Sequence, residues 1–182
     1  MGLDIIYVSG LTPYTGALDK HGDPEDESTI HLYENPDFPG RAEGAPDGHY
    51  KYESREHFRA GGYGWYNAWR NDLAKMAGYP EASEEIQGVF GGTRTRTGHD
   101  VGAWHSGGGP FFELIHFSDC EGTIGPVVSK KLAEDFAKYQ KAADSFIGTH
   151  DDGKPGGYFA EIYAEFRKAF ETASNNGAVD FC

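Results

Sequence analysis

Asp119, Cys120 and Glu121 stand side by side in Phe117-Ser118-Asp119-Cys120-Glu121-Gly122-Thr123, directly after an apolar run. Two carboxylates that close together have the outline of a general acid and base, since one can hold a proton while the other accepts one. The cysteine between them is a poor nucleophile, because flanking negative charge raises a thiol's pKa and suppresses the thiolate. Cys120 therefore reads as a structural thiol. A plainer reading of the loop is architectural. Ser118 or Asp119 accepts N–H bonds from the turn, and Thr123 caps the approach to the following helix.

Two further groups are suited to holding a ligand. Arg94 and Arg96 alternate with threonines in Gly91-Gly92-Thr93-Arg94-Thr95-Arg96-Thr97-Gly98. On an extended strand such residues point to one side and can grip a phosphate together; the competing reading is an exposed hairpin with solvated arginines. Tyr63, Trp65 and Asn67 sit where a helix begins, and Arg59 and Arg70 flank them. Aromatic faces beside an amide suit a planar base or a sugar. The glycines fit neither a dinucleotide fingerprint nor a P-loop, since no Gly-Lys-Ser/Thr occurs. The eight histidines show no His-x-x-x-His or His-Glu-x-x-His spacing on a helix. His99, His105 and His116 with Asp119 or Asp100 would have to be gathered by the fold, so the sequence assigns no metal and no cofactor.

The elements that position these groups follow from periodicity and turn residues. Leu3 to Ser9 is β-rich and reads as a central strand, and Thr29 to Tyr33 and His49 to Ser54 read as two more joined by a long Pro- and Gly-containing connection. From Gly64 to Ala77, Tyr66, Trp69, Leu73 and Met76 recur at helical spacing, with Gly78 as the stop. Residues 81–109 form a Gly- and Arg-rich excursion. Phe111 to Phe117 reads as a strand that runs through the Asp119–Glu121 loop into a helix marked by Val128, Leu132, Phe136, Tyr139, Ala143 and Phe146. That helix turns its lysines outward. A third helix spans about Tyr158 to Ser174, and Ala178 to Phe181 returns as a strand. Together these predict one α+β domain over residues 1–182, with a mixed or antiparallel sheet covered mainly on one face by about three helices.

Composition narrows the classes. The chain of 182 residues can bury one ordinary core, and no apolar run approaches the roughly 20 residues of a membrane span. The expectation is a soluble cytoplasmic protein with no membrane partner. Met1-Gly2 lacks the following Ser or Thr of a myristoylation signal, and two cysteines are too few for a disulfide framework. A net charge of −13 disfavours generic nucleic-acid binding, because phosphates would be repelled unless a basic patch intervened. The acidic excess lies mainly in residues 1–60, so arginines elsewhere can still converge on an anionic small molecule.

Several blocks together carry a resemblance. They are Met1-Gly2-Leu3-Asp4, Phe58-Arg59-Ala60-Gly61 through Tyr66-Asn67-Ala68-Trp69-Arg70, Phe112-Glu113-Leu114-Ile115 through Ser118-Asp119-Cys120-Glu121-Gly122-Thr123-Ile124-Gly125, and the closing Gly177-Ala178-Val179-Asp180-Phe181. In these the chain resembles a family of tailed-phage and prophage proteins for which no activity is established. The resemblance implies a setting, the host cell cytoplasm if phage-encoded, and no chemistry.

Within that setting three functions are open. The first is a counter-defence protein that sequesters a nucleotide-derived signal, with Tyr63, Trp65 and Asn67 on the base or sugar, Arg59, Arg70, Arg94 or Arg96 on phosphates, His116 nearby, and Asp119 or Glu121 on ribose hydroxyls. The second is a hydrolase of a phosphodiester or glycosidic bond built on the histidines with Asp119 and Glu121. The third is an acidic interaction module that inhibits a host enzyme. Each leaves room for a homo-oligomer.

Overall fold

A computed structural model describes residues 2–26, 28–87, 91–117, 122–150 and 157–182. Strand β1 (Leu3–Ser9) alternates strictly where it matters: Leu3, Ile5 and Tyr7 are buried toward the helices, while Val8 is buried on the opposite face. Burial on both faces marks a central strand. It pairs antiparallel with β5 (Ser54–Gly61) on one side and β9 (Ala178–Phe181) on the other, and β8 (Gly122–Ile124) extends the sheet beyond β9. The order is β5-β1-β9-β8, antiparallel throughout.

Helices α1 (Tyr63–Met76), α4 (Pro126–His150) and α5 (Tyr158–Ala173) cover one face of this sheet. α1 turns Tyr66, Trp69, Leu73 and Ala74 inward, and α5 turns in Phe159, Ile162, Tyr163, Phe166 and Phe170. Phe166 is the centre of this layer. Its ring stacks 4.9 Å from Trp69, meets Phe58 edge-on at 5.0 Å and stacks 6.0 Å from Phe181. Such ring pairs add about 0.5–1.5 kcal/mol each beyond the area they bury. The other face is covered by a three-stranded sheet, β2 (Thr12–Pro13), β3 (Thr29–Leu32) and β4 (Gly48–Lys51), in the order β2-β4-β3. Ile30, Leu32 and Tyr50 from that sheet close on Val8 and Ala178. The α+β class and the one-sided helical cover agree with the sequence reading.

Three local expectations are corrected. Residues 111–117 are not a strand: Phe112–His116 is a short helix, α3, and the strand comes later as β8. Phe111 makes the difference, because its backbone sits at φ 55°, a left-handed turn that sends the following residues into a helix. The side chains agree, since Phe111, Leu114 and Ile115 are buried at helical spacing rather than in alternation. Most of the described residues of the excursion at 81–109 are regular. β6 (Ala82–Gln87) and β7 (Thr93–Gly98) form a hairpin, and α2 (His99–Ser106) follows without a break. α2 starts there because Asn71 of α1 accepts the His99 N–H at 2.7 Å, and Asp100 Oδ1 accepts the Val101 N–H at 2.9 Å. Finally, β4 ends at Lys51 and Ser54 opens the edge strand β5, which the polar sequence Ser-Arg-Glu-His conceals.

Candidate functional site

The distinctive block after α3 has a structural explanation for its last residues. Thr123 does not cap a helix: its hydroxyl donates to Asp180 Oδ1 at 3.0 Å and accepts the Tyr33 N–H at 3.2 Å, which ties β8 to β9 and to the end of β3. Gly125 donates its N–H to the Arg41 carbonyl at 2.8 Å, and a Cβ there would lie 2.5 Å from the Glu43 oxygen and 2.6 Å from that of Ala42. Only glycine allows the turn around Arg41 to come so close. Asp119, Cys120 and Glu121 lie outside the described residues.

The arginines of β7 point to one side, as alternation requires. Arg94, Thr95 and Arg96 line an open recess of about 360 Å³ with Ile86 of β6 and Asn67 of α1. Arg96 is half-buried, ion-paired with Asp100 and held 4.5 Å over the Trp104 ring. Arg94 is exposed, and among the described residues it has no acidic partner; its cross-strand neighbour is Ile86. The Asn67 carbonyl oxygen is taken by Arg70 Nη2 at 2.5 Å, which leaves its amide N–H groups for the recess.

Trp104 links this recess to a second group. Its indole N–H reaches the Ile115 carbonyl at 3.5 Å, and its ring meets the His116 ring edge-on at 5.8 Å. His116 also stacks on Phe112 at 5.2 Å and takes the edge of Phe38 at 5.4 Å. Arg41 completes the group, with Nη2 3.5 Å from His116 Nδ1 and its guanidinium 5.5 Å over Phe112. A guanidinium only donates, so Nδ1 is the acceptor and the imidazole is neutral with its proton on Nε2. Burial, together with the charges of Arg41 and Arg70, holds His116 below its usual titration range, which favours the neutral ring. A continuous strip thus runs Arg96, Trp104, His116, Phe112, Arg41.

Of the residues expected to bind a ligand, the fold gathers Asn67, Arg94 and Arg96 at the recess and places His116 just beyond Trp104. It keeps Arg59, Tyr63, Trp65 and Arg70 apart from that recess. Arg70 is only 1% exposed; it donates to the Ile115 carbonyl and lies 5.3 Å over the Tyr66 ring, so it fastens α3 to α1 from inside rather than reaching for phosphate. Arg59 is on the edge strand, 3.5 Å from Asp4. Trp65 is 67% exposed with its ring against Tyr158, and Tyr63 packs partly into the core. His99, His105 and His116 do not converge either. His99 Nδ1 contacts the Tyr79 carbonyl at 2.7 Å, and His105 is exposed in the last turn of α2. Among the described residues no three His, Cys, Asp or Glu side chains come close enough to hold a metal ion, and no helix is long and apolar enough to cross a membrane.

Arg41, Phe38, Trp104 and Phe112 were not singled out from the sequence. All four lie in segments that read as loop or strand, and only the folding of α2 and α3 brings them to one place. Comparison with protein-family models, curated proteins and solved structures finds no match. The function is therefore argued from the site alone.

Proposed function

We propose that the protein binds an anionic, nucleotide-derived small molecule at the recess between β7 and the start of α1, and holds it without turning it over. The observation that supports this is the pair Arg94 and Arg96 beside Asn67, in a chain whose net charge is −13. A cationic recess on so acidic a protein concentrates field where the rest of the surface repels anions. Arg94 supplies an unengaged planar fork for a phosphate, and the Asn67 amide supplies donors for a base or sugar edge. In the setting that the sequence resemblance implies, such a protein withdraws a nucleotide signal from a host pathway.

Thermal unfolding with cyclic nucleotides and ADP-ribose derivatives tests the reading. A ligand at about a hundred times its Kd stabilises the fold by about 2.7 kcal/mol, which raises Tm by several degrees. Arg94→Ala should abolish that rise and leave the Tm of the free protein unchanged, and the ligand should be recovered intact after heating. No shift with any of these compounds, or an undiminished shift in Arg94→Ala, refutes it.

A further inference from the structure

Arg41 is the most conspicuous charge in the molecule that the recess does not use. It sits in the turn between β3 and β4, its backbone held by the Gly125 N–H. Its guanidinium is half-buried, and its Nε is shielded from solvent and has no hydrogen-bond partner among the described residues. Among the described residues its one polar side-chain contact is the long approach to His116. Among the described residues the acidic group that acts on it is Glu113, whose carboxylate is itself held by Lys131 at 2.5 Å. A buried guanidinium normally faces a carboxylate, because desolvating the charge is costly unless good acceptors replace water. Here what faces it, among the described residues, is a neutral imidazole and the ring of Phe112, while Phe38 meets the imidazole edge-on and the Arg70 charge also acts on it.

From this arrangement we propose that Arg41 and His116 form a seat for a phosphoryl oxyanion, distinct from the β7 recess and on the other side of Trp104. Arg41 offers parallel donors to two oxygens. His116 adds a third hydrogen bond once the anion draws a proton onto its ring. Phe112 and Phe38 wall the seat and lower its exposure to water, which strengthens each charge-assisted bond. The seat does not depend on the recess, since it uses neither Arg94 nor Asn67.

The test is a titration of the full chain with inorganic phosphate, against chloride at matched ionic strength, followed by the NMR signals of the His116 ring. Phosphate is expected to move those signals and to raise the pH at which His116 titrates, while chloride is not. Arg41→Ala should weaken the response about ten- to a hundredfold, the worth of charge-assisted bonds. Arg41→Lys should weaken it less, and Glu113→Gln should strengthen it by removing a competing charge. Arg94→Ala should leave it unchanged, so loss of nucleotide binding at the recess and loss of this seat are read separately. Unmoved His116 signals in the wild-type protein overturn the proposal, as does an equal response in Arg41→Ala whose remaining spectrum shows the native fold.

Discussion

Asp180→Asn should stabilise this protein at neutral pH. Asp180 lies on β9 between Ile6 of β1 and Thr123 of β8, two neighbours without charge. Burial pushes its carboxyl up from 3.8 to about 6, and the hydrogen bond from the Thr123 hydroxyl offsets only part of that. Because the folded value lies above the unfolded one, the folded chain holds this proton more tightly. The group therefore costs nothing below about pH 3.8, and its cost grows as pH rises toward and through about 6. At 1.4 kcal/mol per factor of ten, the ionised carboxylate costs the fold about 3 kcal/mol above that range. An asparagine keeps an acceptor for Thr123 and has no charge to bury, so it recovers up to that amount, less whatever its new N–H groups fail to pair. Urea unfolding of both proteins at pH 8, 6 and 4 measures the difference. The gain should be largest at pH 8, a few tenths of a kcal/mol smaller at pH 6 and only about 0.5 kcal/mol at pH 4. A loss of stability at pH 8 would show that the carboxylate is held by positive charge, and would refute the reasoning.

Trp69→Ala should destabilise by about 3–5 kcal/mol in denaturant unfolding, because the indole is 1% exposed and stacks on Phe166 at the centre of the helical layer. Gly102→Ala should cost roughly 1–3 kcal/mol or prevent α2 from docking, since a Cβ there would stand 1.9 Å from the Pro80 carbonyl oxygen, and backbone cannot rotate away as a side chain can. Circular dichroism and urea titration together separate those outcomes, and a neutral result would mean that α2 packs elsewhere.

The long amphipathic elements were legible in the sequence. Tyr66, Trp69 and Leu73, and later Phe159, Phe166 and Phe170, repeat at a spacing that only a helix can bury on one side. β1 and β9 were legible for the same kind of reason. The run Phe112-Glu113-Leu114-Ile115 was not, because a short apolar segment satisfies both periods and the decision rests on one backbone angle at Phe111. β5 was hidden by an edge strand's tolerance for charge. The site divides in the same way. Arg94 and Arg96 declared themselves by alternation, which needs no knowledge of the rest of the chain. Arg41 and His116 are 75 residues apart, and nothing local to either announces the other. Arg70 misled because an arginine beside aromatics reads as a ligand group, whereas a buried carbonyl of α3 had claimed it.

The order β5-β1-β9-β8 has a kinetic consequence. Its central seam joins Ile5 to Phe181 and Asp4 to Cys182, so closing it brings together parts of the chain separated by almost everything else. Contacts that distant are entropically expensive to form and are reached late. The helical pair α4 and α5 and the β6–β7 hairpin involve only near neighbours and can assemble first, leaving Tyr66, Trp69 and Phe166 without their floor until the seam zips. Refolding should accordingly run in milliseconds to seconds rather than microseconds, with helical signal gained ahead of tryptophan burial. Until that last step the aromatic layer is exposed, and crowded refolding conditions should divert the chain toward aggregation.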